Sequence, residues 1–166
     1  MCPPDASVEP EITDQQSPAK LVENSSFLKA KHIAAQIDEG LILAANTVAE
    51  CQGKILGKPV NREHAKSMLQ LMSGQLHRVL TGVTLWHRPS DRNETFVETT
   101  HLKMDDLADK AIEDYLDSQM WVGKAGGFGF QDQIEWIHIV EGSESNVVGL
   151  PMEALAKRIG QFLTDD

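Results

Sequence analysis

The sequence predicts one α/β domain in which helices flank a twisted sheet. The chain has 166 residues, which is the size of a single domain. Some segments carry apolar residues at the spacing of a helix, and others carry the apolar runs or alternation typical of strands. The two kinds of segment follow one another along the chain, and neither an internal repeat nor a linker separates them. We therefore treat residues 1–166 as one domain.

The first half of the chain predicts a helix, a strand and a second helix. Residues 1–16 are rich in Pro, Asp, Glu and Gln and predict irregular structure. A helix is expected over 17–37, because Ser17 is a favourable N-cap and a proline follows it. The apolar run 41–49 predicts a strand that is buried on both faces. An apolar stripe at helical spacing predicts another helix over 61–72.

The second half of the chain predicts a hairpin, a helix, a further strand and a last helix. Alternating apolar residues predict a strand over 79–85, and a polar loop joins it to a strand over 96–104. A third helix is expected to begin at Asp106. The stretch 134–140 predicts a strand, and Pro151 is the expected start of the last helix.

Composition and charge exclude several classes of function. The formal net charge is −10, so the chain would repel a phosphate backbone, and we expect no nucleic-acid partner. No stretch is apolar over the length of a membrane span, and the acidic N-terminus does not resemble a signal peptide. Cys2 and Cys51 suit neither a disulfide framework nor a zinc site. We therefore expect reduced thiols in a cytoplasmic protein with no membrane partner.

Two loops carry residue types that suit an anionic ligand. Lys58 lies between a glycine and a proline, where a rigid backbone could present its ammonium group to a phosphate. An exposed turn lysine is the more frequent explanation, so this signal alone is weak. The glycine-rich segment 124–132 could expose the backbone N–H groups of its glycines to a nucleotide. Within it, Gln131 could read a base edge through its amide, and an ordinary surface residue is equally compatible.

A polar cluster lies between the last predicted strand and the last predicted helix. Ser143, Ser145 and Asn146 suit helix capping and turns, which we favour for at least two of the three. The six histidines show no spacing typical of a metal site. No Ser or Cys pattern indicates nucleophilic catalysis.

Four segments in the order of the chain resemble the Maf family of nucleoside triphosphate pyrophosphatases. They are ANTVAECQGKILGKP, MLQLMSGQLHRVLTGV, YLDSQMWVGKAGGFGFQ and IVEGSESNVVGLP, and the resemblance covers residues 29 to 159. It implies an elongated, twisted, mixed sheet flanked by helices, related in shape to inosine triphosphate pyrophosphatases. It also implies cleavage of a nucleoside triphosphate to the monophosphate and pyrophosphate, with Mg²⁺ or Mn²⁺ as cofactor, and a homodimer.

The resemblance assigns roles to individual residues of this sequence. Lys58 matches the family's phosphate-contacting lysine, and Lys29 matches a second lysine of the pattern. Thr47 and Gln131 match positions that help to set the base preference. A threonine at position 47 resembles the members that prefer dTTP and UTP, whereas the other common branch prefers 7-methyl-GTP. We therefore expect a dTTP- or UTP-like substrate.

The metal ligand and the catalytic base are the less regular parts of the match. Glu9 is the best match to the acidic residue that helps to hold the metal, with Asp5 as a close alternative. The family's strand ends in an Asp-Thr pair whose aspartate accepts a proton, and here that residue is Asn46.

The family pattern also begins earlier than this sequence does. Its first strand and a phosphate-gripping SxSPRR loop have no match, and Met1 falls near the start of the family's second strand. We expect that the domain is short at its N-terminus, through a misplaced start codon, and that a sheet edge is left uncovered. Two hypotheses follow. The chain is an active or weakened nucleotide pyrophosphatase, or it is an inactive nucleotide-binding member of the family.

Overall fold

The computed structural model describes residues 17–132 and 134–164. They form a five-stranded sheet in the order β2-β1-β3-β4-β5, and every neighbouring pair in it is antiparallel. The strands are β1 Gly40–Cys51, β2 Lys54–Leu56, β3 Leu76–Arg88, β4 Asn93–Met104 and β5 Ile137–Glu141. The predicted class, a sheet flanked by helices, is confirmed. The sheet is antiparallel throughout its described part, whereas we expected a mixed one.

Five α-helices and two short 3-10 turns connect the strands of the described chain. The helices are α1 Pro18–Ala34, α2 Arg62–Met72, α3 Asp109–Asp117, α4 Glu144–Val148 and α5 Met152–Thr164, and the 3-10 turns are Ala125–Gly127 and Phe130–Asp132. None of these helices is long and apolar enough to cross a membrane. The predicted irregular segment 1–16 lies outside the described residues.

Most helix boundaries lie within a few residues of those expected, and α1 ends at Ala34 instead of at residue 37. Asn61 caps α2 by accepting a hydrogen bond from the backbone N–H of His64 at 2.8 Å. Ser17 occupies the N-cap position of α1, but its side chain makes no capping bond there. The third helix begins at Asp109 instead of Asp106. The short helix α4 was not expected, because five residues are too few to show a helical period.

Strand β1 is less buried than its apolar sequence predicts. Leu41 and Leu43 are exposed, and the expectation of burial on both faces is wrong for this end of the strand. β2 pairs with β1 only over Ala49–Cys51, so within the described chain the outer edge of residues 40–48 has no partner strand. The expectation of an uncovered sheet edge concerns the part of the fold formed by residues 1–16, which lie outside the described chain, and it stays a prediction.

Strand β3 is central, and helices cover it on both faces. It pairs with β1 on one side and with β4 on the other, which buries residues 79–86 continuously instead of alternately. Helix α1 packs on one face at Gly82, and α4 packs on the opposite face at Thr81. The largest hydrophobic cluster lies where α2 and α3 meet the sheet, and its fully buried members include Leu69, Met72, Leu102, Met104, Ile112 and Leu116.

Gly82 allows helix α1 to approach the sheet, and its replacement tests this packing. A Cβ atom at this position would lie 2.2 Å from the carbonyl oxygen of Val22, which is backbone and cannot rotate away. Gly82→Ala is therefore expected to destabilise the fold by about 3 kcal/mol, which lowers Tm by roughly 6–12 °C. Gly160→Ala is the matched control, because nothing lies within 4 Å of a Cβ there. Equal Tm values for both variants would contradict the close packing.

Candidate functional site

One pocket brings together most of the residues that the sequence singled out. It has a volume of about 340 Å³ and lies at the edge of β1 that no described strand covers. Its lining includes all five predicted site residues that fall within the described chain, namely Lys29, Asn46, Thr47, Lys58 and Gln131. They come from α1, from β1, from the loop after β2 and from the second 3-10 turn. Residues that are distant in sequence therefore share one site.

The open edge of β1 in the described part of the sheet explains how one pocket can use both faces. Asn46 lies opposite Gly82 in the β1–β3 register, and Thr47 lies opposite Thr81. Successive strand residues point to opposite faces, so Asn46 lies on the α1 side and Thr47 on the α4 side. Because no described strand covers this edge, both side chains can reach the same ligand.

Asn46 is held by a lysine from the neighbouring helix. The ammonium group of Lys29 donates a hydrogen bond to Asn46 Oδ1 at 2.8 Å, and both side chains are half-buried. The residue to which the sequence resemblance assigns the position of the proton acceptor is thus a neutral amide beside a lysine. An amide oxygen accepts hydrogen bonds, but it does not take up a proton near neutral pH.

The pocket is positively charged within a strongly acidic chain. Lys29, Lys58 and Lys124 all line it, and its described lining contains no aspartate or glutamate. Three lysines in one pocket favour an anionic ligand. Lys124 was not among the predicted site residues, although it stands at the start of the glycine-rich segment that the sequence analysis emphasised.

The glycine-rich segment packs against the protein instead of presenting free backbone donors. The N–H of Gly126 donates to the carbonyl of Gly57 at 2.9 Å, and that of Gly127 donates to the carbonyl of Lys124 at 3.0 Å. Gly126 has a φ of 70°, and a Cβ there would lie 3.0 Å from the side chain of Ala49. The expectation that these two N–H groups face a nucleotide is wrong, because the turn itself uses them.

Two phenylalanines form an apolar part of the pocket that the sequence analysis did not identify. Phe128 and Phe130 line it beside Gln131. Phe128 is supported from behind by His77, whose ring meets it edge-on with the ring centroids 5.5 Å apart. Burial lowers the pKa of His77 to about 4, so the supporting ring is neutral at physiological pH. An alternating pattern of glycine and phenylalanine in 126–130 was the available signal.

The serines of the polar cluster have structural roles, as we favoured. The side chain of Ser143 caps α4 by accepting from the N–H of Asn146 at 3.3 Å. Ser145 accepts from the N–H of Met152 at 3.0 Å, at the start of α5. Its hydroxyl donates to the carboxylate of Glu153, and this bond lowers the pKa of that carboxyl. Asn146 is buried behind the pocket and contacts both β3 and β4.

The predicted metal ligand cannot be placed. Glu9 and its alternative Asp5 lie outside the described residues. Within residues 17–132 and 134–164, no three His, Cys, Asp or Glu side chains are grouped as a metal site would need. The described part of the pocket offers lysines and neutral oxygens only.

The fold and the pocket define a class of protein. An α/β domain with a lysine-lined pocket and an aromatic wall is suited to bind an anion that carries a flat ring. The family model for Maf-like proteins matches residues 1–162, and the chain belongs to this family.

Several relatives share most of the chain. A dTTP/UTP pyrophosphatase of Rhodopirellula baltica is 47% identical over 161 residues, which cover 96% of this chain and 71% of that protein. The dTTP/UTP pyrophosphatase of Carboxydothermus hydrogenoformans is 39% identical, and the match covers 93% of this chain and 86% of that protein. The dTTP/UTP pyrophosphatase of Salinibacter ruber is 38% identical, and the match covers 98% of this chain and 79% of that protein. Among solved structures, the match to the Staphylococcus aureus Ham1 protein covers 61% of this chain and 57% of the Ham1 chain. It has a TM-score of 0.39 and 11% sequence identity.

Proposed function

We propose that this chain is a nucleoside triphosphate pyrophosphatase that acts on dTTP, UTP or a similar nucleotide. The products would be the nucleoside monophosphate and pyrophosphate. The observation that carries the proposal is the lysine-lined pocket in which five predicted site residues meet. The dTTP/UTP pyrophosphatases of the relatives support the same reaction.

The residues that line the pocket suggest two roles, one in binding the phosphates and one in contacting the base. Lys29 and Lys58, with Lys124, would hold the triphosphate and stabilise the negative charge that develops on the leaving pyrophosphate. Thr47 and Gln131 would contact the edge of the base, and the neighbouring phenylalanines would cover its face. This arrangement explains binding and orientation more completely than it explains the activation of water.

A specific observation favours a second candidate function. Asn46 replaces the family's proton acceptor and already accepts a hydrogen bond from Lys29. Without a carboxylate at this position, the attacking water would lack its general base. The alternative is therefore a weakened or inactive member of the family that still binds nucleotide.

We propose Mg²⁺ or Mn²⁺ as the cofactor, because a triphosphate binds such ions through its own oxygens. The described residues do not by themselves fit a magnesium site, since the pocket lining lacks a carboxylate and the Asn46 oxygen is already engaged. Glu9 is the ligand that we propose to complete the site. A homodimer and a location in the cytoplasm are further proposals. The homodimer rests on the family resemblance, and the location rests on the expectation from the sequence that its cysteines are reduced thiols.

Pyrophosphate release tests the proposed function. The purified chain is incubated with UTP, dTTP, CTP and 7-methyl-GTP, with and without Mg²⁺, and both pyrophosphate and orthophosphate are measured. We expect metal-dependent release of pyrophosphate, with the highest kcat/KM for dTTP or UTP. Release of orthophosphate alone would contradict the proposed bond cleavage, and a preference for 7-methyl-GTP would contradict the role of Thr47. A rise in Tm with dTTP but no turnover would favour the nucleotide-binding alternative.

A further inference from the structure

A buried hydrogen-bond chain leads from the pocket into the fold. Thr47 Oγ1 lies 2.9 Å from Thr81 Oγ1, and the Thr81 hydroxyl donates to the backbone carbonyl of Asn146 at 3.1 Å. Thr81 is fully buried and does not line the pocket. We propose that Thr81 is a specificity-determining residue, because it makes Thr47 a hydrogen-bond acceptor and so selects bases that present an N–H donor. This inference rests on the proposed nucleotide substrate.

The direction of each bond follows from counting protons. A hydroxyl carries one proton. The carbonyl of Asn146 can only accept, so the proton of Thr81 is directed to it. The proton in the contact between the two threonines must then come from Thr47. The Thr47 hydroxyl therefore presents a lone pair to the pocket and acts there as a hydrogen-bond acceptor.

Asn146 is fixed strongly enough to impose this direction. Its side-chain amide donates to the carbonyl of Val79 at 3.2 Å and to Thr100 Oγ1 at 2.9 Å. These bonds tie α4 to both β3 and β4, and the residue is 1% exposed. Rotation of the Thr81 hydroxyl away from the carbonyl would leave the buried hydroxyl without an acceptor, which is unfavourable.

The Thr47 hydroxyl oxygen is accessible from the pocket because the residue that faces it there, Gly149, has no side chain. Gly149 lines the pocket with a φ of 116°, and a Cβ on it would lie 3.5 Å from Thr47 Oγ1. The absence of that side chain leaves the oxygen uncovered on the ligand side.

An acceptor at this point distinguishes the pyrimidines. Uracil and thymine present an N–H donor at ring position 3, whereas cytosine presents a lone pair there. The Thr47 oxygen would accept a hydrogen bond from the first two and would repel the third. If the Thr81 hydroxyl were absent, the Thr47 hydroxyl would be free to rotate and to donate to cytosine.

Replacement of Thr81 tests the inference. The affinities of UTP and CTP are measured by calorimetry for the wild-type chain and for Thr81→Val, and kcat/KM is measured wherever turnover is detectable. The UTP-to-CTP ratio is the affinity for UTP divided by the affinity for CTP. We expect this ratio to fall about tenfold in Thr81→Val, which corresponds to the loss of one hydrogen bond. Thr81→Ser retains the hydroxyl and should retain the ratio. Asn146 keeps a second bond to its carbonyl, from the N–H of Gly149 at 3.1 Å, so we expect the variant to fold.

Thr84→Val is the matched control for the loss of a buried hydroxyl. Thr84 lies on the same strand, is equally buried, and bonds Ser26 and Thr95 away from the pocket. Its replacement should lower Tm without changing the UTP-to-CTP ratio. If Thr81→Val does not fold, Thr81→Ala tests the same point. In a Thr47→Val background, removal of the Thr81 hydroxyl should have no further effect on the ratio.

The outcomes separate this inference from the proposed function. A wild-type preference for UTP that Thr81→Val leaves unchanged would overturn the role of Thr81 while preserving the proposed substrate. Binding of neither nucleotide by the wild-type chain would overturn both. An equal fall of the ratio in Thr84→Val would also overturn it, because the effect would then be one of general stability.

Discussion

Replacing Asn46 with aspartate is expected to raise turnover of dTTP by about 10²- to 10⁴-fold, the range that a positioned general base contributes. This range corresponds to roughly 3–5 kcal/mol of activation barrier. A carboxylate at position 46 could take a proton from the attacking water, which the amide cannot do. The gain is expected in kcat, because the residues proposed to hold the nucleotide are unchanged.

The fold is expected to tolerate this exchange. Asparagine and aspartate have nearly the same shape, and Asn46 is only half-buried on β1. The present bond from Lys29 to Oδ1, at 2.8 Å, would become a bond between opposite charges. The positive charge of Lys29 would also keep the carboxyl ionised near neutral pH, which is the state that a general base needs. Tm should therefore change little.

Pyrophosphate release by Asn46→Asp, by the wild-type chain and by Asn24→Asp measures the effect. Asn24 is exposed on α1 and outside the pocket, so its replacement adds the same charge without touching the site. Equal turnover by the wild type and Asn46→Asp would show that another group, such as Glu9, activates the water. An increase of similar size in Asn24→Asp would indicate a general effect of charge.

The sequence predicted the secondary-structure elements well where the local pattern was strong. Helix α2 shows why, since its N-cap Asn61 and its apolar stripe both indicate the observed span. Strand β1 shows the limit of such patterns. An apolar run indicates a strand, but its burial depends on which strands pair with it, and residues 40–48 have a described partner on one side only.

The site was predicted as a set of residues but not as an arrangement. The order of the motifs indicated that Lys29, Thr47 and Gln131 belong together, and the structure places all three in one pocket. Patterns along the chain did not show that Phe128 lines the pocket, because its position depends on packing against His77 of strand β3. The role of Thr81 was similarly invisible, since it depends on a cross-strand contact with Thr47.

Lys58 gives the second large effect, because the backbone of its loop is fixed beside the pocket. The preceding residue, Gly57, accepts a hydrogen bond from the N–H of Gly126 at 2.9 Å, and the following Pro59 is buried. The backbone on both sides of Lys58 is thus fixed, while its own side chain is exposed and lines the pocket. A donor held in this way contributes most when charge develops on the substrate.

Lys58→Ala is expected to lower kcat/KM for dTTP by about 10²- to 10³-fold, as loss of one preorganised donor to a developing charge does. If Lys58 binds the ground state and the transition state equally, the loss will appear in KM, and if it acts only in the transition state, it will appear in kcat. Lys54→Ala is the control, since Lys54 is an exposed lysine of β2 that does not line the pocket. A similar loss in both variants would indicate a general effect of net charge. Unchanged kinetics in Lys58→Ala would contradict the proposed role of Lys58 in binding the phosphates. The comparison is made at several salt concentrations, because screening weakens a general effect of charge more than it weakens a direct contact.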